Sequence, residues 1–356
     1  MTFSPLVFDA LSMFRSFMVN PLVNGLILGL LVIGVFLSFR VLNIADLSVE
    51  GILPMLTILT AILINNNLNP WLVILICACI GAVAGALNAL LTIYLKTPPL
   101  LSGIIVMALC FGVAILLNSL EVEKVNFDPT QHLTAFNWLK SLLNNGTTNE
   151  VWRFYASYLS YIIVGFVILA LVWAALYFFF ATELGMSIRA AGKNPTMAEA
   201  NGISVSKMQI IALSLSGALI GVASSLYGQQ KGFGNSHDGQ GMIVIALSSL
   251  FLGEMIVGTR SFKRSLLSCV VGSLVYWYVI QALMLLDKTG YMTELYRAIL
   301  LVLIIGLQFL LATIKKKFPK KPKGIEEGDG ESVPETPQES MKEAFMRLCF
   351  GRRNNA

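Results

Sequence analysis

The sequence predicts an all-α polytopic membrane protein with about nine transmembrane helices, within a range of about eight to ten. Three observations predict it. Apolar runs of about 20 residues recur along the chain, each long enough to cross a bilayer as a helix. Charged residues make up 13% of the sequence and apolar ones 56%, against about 25% charged in a soluble domain. The breaks between the runs carry helix caps, glycines and prolines.

Residues 1–19 form an N-terminal segment of another kind. Phe3, Phe8, Leu11, Phe14 and Met18 share a stripe, with Asp9 and Arg15 between them. This pattern fits an interfacial amphipathic helix better than a cleaved signal. Spans are then expected at about 21–39, 44–64, 71–95, 100–117, 158–180, 209–227, 242–258, 266–286 and 295–313.

The second run opens NIADLSVEG and holds Asp46, Glu50, Gly51 and Pro54. Acids and helix-breakers this close to an apolar run point to a broken or late-starting helix beside a cavity, or to acids at the membrane edge. The third carries Gly81, Ala82, Ala84, Gly85 and Ala86, a small-residue face for close helix contact. Residues 118–153 form the longest internal loop, with Trp138 and Trp152 as interface anchors. The glycine-rich loop Gly228–Gly241 lacks the spacing of a dinucleotide fingerprint. From 315 onward a basic cluster, KKKFPKKPK, should sit on anionic headgroups. Acidic, Pro- and Gly-rich sequence follows that cannot bury enough surface to order itself.

Basic residues orient the chain. With residues 183–208 in the cytoplasm, Arg40, Lys96, Arg189, Lys193, Lys207, Arg260, Lys263 and Arg264 fall inside, together with the tail's 10 Lys and Arg. Arg15, Lys124, Lys140, Arg153, Lys231 and Lys288 fall outside. The N-terminus is then outside and the C-terminus cytoplasmic. The net charge of +5 reflects where loops face and implies no nucleic-acid partner.

Within residues 183–208, Asn194 is an N-cap and Pro195 takes the first helical position, where a missing N–H costs nothing. Gly202 supplies a left-handed stop. The short helix between them is either a connector or a docking element.

The chemistry of common enzymes is missing. SIRAAGKN, residues 187–194, lacks the first glycine and the final Ser/Thr of a P-loop. Two histidines and five cysteines offer neither a C-x-x-C pair nor a Ser/His/Asp set. No metal or cofactor is expected. The remaining polar candidates are Asp46, Glu50 and Glu254 on a translocation path, and Glu294 with Arg297 as a structural ion pair on one helix face. Glu254 has Arg260 and Arg264 as nearby partners in sequence. Glu50 is the strongest path candidate. A relay through Glu50 and Glu254 in an ion-coupled secondary transporter is the alternative reading.

The stretch RAAGKNPTMAEANGISVSKMQIIALSLSGALIGVASSLYGQQKGF resembles the cytoplasmic loop and following span of permease subunits of bacterial binding-protein-dependent ABC importers. The similar group includes branched-chain amino acid and ribose permeases. FRVLNIADLSVEGILP, PPLLSGIIVM, FLGEMIVGTRSFKRSLLSCVVGSLVY and TELYRAIL resemble a narrower branch, associated with aromatic amino acids or uncharacterised solutes. The resemblance implies a pore subunit in the bacterial plasma membrane, moving a small solute, with an amino acid foremost. It implies three partners: a separate ATPase, an extracytoplasmic solute-binding protein, and a second permease copy. It also implies that Asn194, Pro195, Ala198, Glu199, Ala200 and Gly202 belong to the coupling helix on which the ATPase docks. The 315–356 tail lies outside the resemblance.

Overall fold

The computed structural model describes residues 15–120, 126–127, 133–143, 150–284 and 292–317. The expected interfacial segment up to residue 14 and the tail beyond Lys317 lie outside them. Every element of two or more turns among the described residues is a helix. This is what a chain must do where water cannot satisfy its backbone.

The first helix, α1 (Asn20–Phe36), has Pro21 in its first turn and runs on into a π-helical turn at Leu37–Val41. It is the centre of the bundle. In an 18-residue apolar stretch of the span that contains it, 83% of the residues are buried. Helices α9 (Val205–Lys231), α11 (Phe262–Met284) and α6 (Glu150–Phe179) pack around it. Hydroxyls tie these layers together. Ser273 on α11 donates to the Gly25 carbonyl at 2.7 Å, and Ser216 on α9 donates to the Gly34 carbonyl at 2.7 Å. Such cross-helix bonds pin register where apolar packing alone is permissive.

Helix α2 (Val49–Asn65) starts late, as the acids and breakers at its head predict. Residues 42–48 are not helical, and Asn43 has a positive φ of 58°. Helix α3 (Pro70–Tyr94) is capped by the Asn69 side chain, which accepts from the Trp71 N–H. Its small-residue face is pressed against α9. A Cβ at Gly81 would overlap the Gly217 carbonyl oxygen, so the two backbones touch. Helix α4 (Pro99–Leu120) backs onto α2 and is peripheral, with 28% of an 18-residue apolar stretch buried; the corresponding figure for α6 is 22%. Their exposed apolar faces suit lipid or another chain.

The expected 118–153 loop contains a helix, α5 (Ala135–Leu143). Phe136 on it is fully buried against Tyr161, with ring centroids 4.5 Å apart. The Gln229 side chain accepts from the Ala135 N–H at 3.0 Å, which fastens this segment to the end of α9. Trp138 meets Trp71 edge-on. The side chain of Trp152 lies outside the described residues.

Residues 183–208 hold two helices rather than one: α7 (Glu183–Lys193) and the short α8 (Pro195–Ala200). Helix α10 (Met242–Val257) forms a hairpin with α11, and α12 (Thr293–Lys317) closes the described chain. By contacts, residues up to Leu311 form one unit. Among the described residues seven helices are long and apolar enough to cross a membrane. Val49–Asn65 and Leu295–Leu307 are shorter apolar helices.

Candidate functional site

Three features converge on function, and the first is the α7–α8 segment. Asn194 caps α8, its side-chain oxygen accepting from the Met197 N–H at 3.1 Å. Thr196 donates to the same oxygen at 2.7 Å. Gly202 stops the turn with φ +78° and open space around its Cα. Ala198 is buried, while Met197, Glu199 and Ala200 are exposed. The side of α8 that carries Met197 and Glu199 therefore faces away from the bundle, and Ala198 faces into it. Ser204 stands at the N-cap of α9 but makes no side-chain cap bond.

Helix α7 anchors α8 to the bundle. The Thr182 side chain caps it by accepting from the Gly185 N–H. Ile188 and Ala191 are buried. Gly192 sits directly on the Val41 carbonyl, where an added Cβ would overlap the oxygen. Arg189 donates from Nη2 to the Phe180 carbonyl at 3.0 Å, and its guanidinium lies 5.2 Å from the centre of the Phe262 ring. The capped pair of helices thus rests on the last turn of α1.

The second feature is that last turn. Arg40 grips Glu254 on α10 through two bonds, Nε to Oε1 at 2.7 Å and Nη2 to Oε2 at 2.5 Å. The planar guanidinium matches both carboxylate oxygens. Sequence proximity pointed to Arg260 or Arg264 as the partner, and the structure supplies Arg40 instead. The reason is topological: α10 runs beside α1, and the pair is 214 positions apart in the chain.

The third feature lies around α2. Asp46 is buried and is not left alone. Its Oδ1 accepts from the Ser48 N–H at 2.9 Å and from Asn88 Nδ2 of α3 at 2.8 Å. Asp46 thereby closes the turn that starts α2 and ties it to α3. Glu50 is half-buried in the first turn of α2. Pro54 removes the N–H that would have taken the Glu50 carbonyl. Gly239 packs against that same carbonyl, and no side chain would fit there.

Gly239 belongs to the glycine-rich stretch, which is expected as an outer loop. The structure shows a segment folded back along α2. Gly234 packs on Ile58 and Gly239 on Glu50 and Pro54, a descent of about two turns, or about 12 Å. A short 3₁₀ turn at Ser236–Gly239 holds it, with a reciprocal cap between Asn235 and Asp238. Lys231 at the end of α9 pairs with Asp238 at 2.6 Å, and its ammonium lies over the rings of Tyr227 and Phe233. This Lys231–Asp238 pair carries no sequence signal, because the two residues meet only when the loop turns inward. Arg297 on α12 lies within electrostatic reach of Tyr227. The side chain of Glu294 lies outside the described residues, so its pairing with Arg297 does too.

Among the described residues no three His, Cys, Asp or Glu side chains gather as a metal site. A helical bundle built around a central span, with polar groups inside and capped helices at one end, defines a multi-pass α-helical membrane protein. The chain belongs to the family described as "Branched-chain amino acid transport system / permease component", which it matches over residues 17–307. It is 26% identical to a tyrosine transport system permease protein of Clostridioides difficile, covering 84% of this chain and 93% of that one. It is 24% identical to the ribose import permease RbsC of Escherichia coli, over 73% of this chain and 75% of that one. To the autoinducer 2 import system permease LsrC of Photorhabdus luminescens it is 25% identical, over 68% and 67%. No solved structure matches the chain. It is therefore an ABC-transporter permease, a transport protein rather than an enzyme, and its multi-pass helical architecture is consistent with an inner-membrane location.

Proposed function

We propose that this chain is the pore-forming subunit of an ABC importer that takes up a small solute, an amino acid foremost, with an aromatic one as the first substrate class to test. Nine crossings, an outer N-terminus and a cytoplasmic C-terminus complete the reading. Two copies enclose the path, a binding protein delivers solute on the outer side, and a separate ATPase supplies the energy.

The observation that carries this reading is the construction of α8. It is capped at Asn194, stopped at Gly202, exposed at Met197 and Glu199, and tied by Gly192 to the end of α1. A short exposed helix on a firm base can receive a push and pass it to the central span. ATP-driven closure of the ATPase pair then shifts the permease between inward- and outward-facing populations. The substrate class is supported by the tyrosine permease, the relative matched over nearly its whole length. Ribose and autoinducer permeases match less of the chain.

The Arg40–Glu254 pair weighs against a relay through Glu254, because one guanidinium already engages both carboxylate oxygens. The test is uptake in cells together with copurification of the ATPase. Glu199→Arg and Gly202→Pro should abolish both while the protein still inserts at normal levels. Normal uptake by both variants sinks the docking role, and gradient-driven uptake by the chain alone in liposomes sinks the importer reading.

A further inference from the structure

A cavity of about 520 Å³ opens where the last turn of α1, α7 and the turn between α10 and α11 meet. Its wall carries four cations, Arg40, Arg189, Lys193 and Arg260, against one carboxylate, Glu254. Glu254 is already taken by Arg40. Lys193 and Arg260 have no hydrogen-bond or ion-pair partner among the described residues. Arg189 spends one nitrogen on the Phe180 carbonyl, but its Nε is buried and has no acceptor. A buried charged donor without a partner is costly, and three like charges around one hollow repel each other. Both problems are relieved by one anion.

We propose that this cavity binds a phosphate group carried on a larger molecule. Three separated cations suit a tetrahedral group with several charged oxygens better than a single planar carboxylate. Ser261 and Ser265 line the same hollow, and the Ser261 hydroxyl, which accepts from the Arg264 N–H, keeps its own proton for an anion. The volume exceeds what an isolated phosphate fills. Phe36 and Phe262 also line the hollow and give it an apolar part beside the charges, which suits an ester with an uncharged portion. Two sources share this chemistry: the headgroup of an anionic phospholipid and a soluble phosphate ester. Whichever fills it bridges α7 to the α10–α11 turn, and so steadies the base on which α8 rests. The site goes beyond the docking reading and stands without it.

The test uses the full chain purified in a neutral detergent. Native mass spectrometry reads binding of phosphatidylglycerol against phosphatidylcholine. Thermal stabilisation reads inorganic phosphate against chloride at matched ionic strength. The variants are Arg260→Gln alone and Arg260→Gln with Lys193→Gln. Arg264→Gln, in the first turn of α11 and outside the cavity, is the control. Preferential phosphatidylglycerol binding that weakens about tenfold in the double variant and holds in the control supports the lipid source. Stabilisation by phosphate alone, lost in the same variants, supports a soluble ester. No preference in either arm overturns the site, as does an equal loss in Arg264→Gln. Should the double variant aggregate, the single variant decides by the same criteria. None of these readouts needs the ATPase, so failure here leaves the docking reading standing, and failure of docking leaves this site standing.

Discussion

Arg40 and Glu254 join the end of the central helix to the end of α10 across 214 positions of sequence, with both carboxylate oxygens engaged. Glu254 is nearly buried, at 8% side-chain exposure, while Arg40 is 46% exposed. The asymmetry sets the first prediction. Arg40→Ala strands a buried carboxylate and should lower stability by about 2 kcal/mol, less than the cost in a fully dry site because solvent reaches the arginine. Glu254→Gln should cost less, since the amide is neutral and keeps one acceptor. A double-mutant cycle on thermal unfolding in detergent checks this, and additive effects within about 0.5 kcal/mol would show the two residues to be uncoupled.

Gly192 is where α7 meets the Val41 carbonyl with no room for a side chain. Gly192→Val should push α7 off α1 and abolish uptake with little change in membrane insertion. Gly202→Ala is the contrasting case. Space is open there, so the penalty is confined to the left-handed backbone and should be about 1 kcal/mol, leaving substantial uptake. Equal uptake by the two variants would remove the mechanical role given to the Gly192 contact.

Asp46 holds two donors, the Ser48 N–H and Asn88 Nδ2, inside the bundle. Asp46→Ala leaves both without an acceptor and should destabilise the chain by about 2–4 kcal/mol, enough to reduce its level in the membrane. Asp46→Asn keeps an acceptor oxygen and should recover much of that loss. If Asp46→Ala accumulates normally but fails in uptake, Asp46 belongs to the path rather than to the scaffold.

The inward-folded segment can be tested apart from the ATPase. Gly239→Val cannot sit against the Glu50 carbonyl and should dislodge the 3₁₀ turn. Asp238→Ala frees Lys231 from its pair. Both should impair uptake of radiolabelled amino acid while copurification of the ATPase is retained. Loss of the ATPase in either variant would show that the segment serves general folding.

Much of the architecture was legible because membrane spans are written in local composition. The late start of α2, the glycine face of α3, the Asn194 cap and the Gly202 stop all follow from residues adjacent in sequence. The helix in residues 135–143 was hidden for a local reason, its polar and mixed-charge surroundings. Helix α7 was missed because α7 and α8 together read as one polar interruption. The segment Gly228–Gly241 read as an outer loop because glycine marks close approach without saying what is approached.

By itself the sequence determined an all-helical membrane permease, its family, and the short capped helix between α7 and α9. Hydrophobic length and backbone satisfaction decide the helical membrane architecture from neighbouring residues, capping chemistry decides the short helix, and similarity to known permeases gives the family. Only the tertiary structure decided that Glu254 belongs to Arg40, that Gly192 rests on Val41, and that the glycine-rich segment descends along α2 to Glu50. It also gathered Arg189, Lys193 and Arg260 around one cavity. These relationships depend on which helices lie side by side, and a charge or a glycine is compatible with any neighbour until packing selects one.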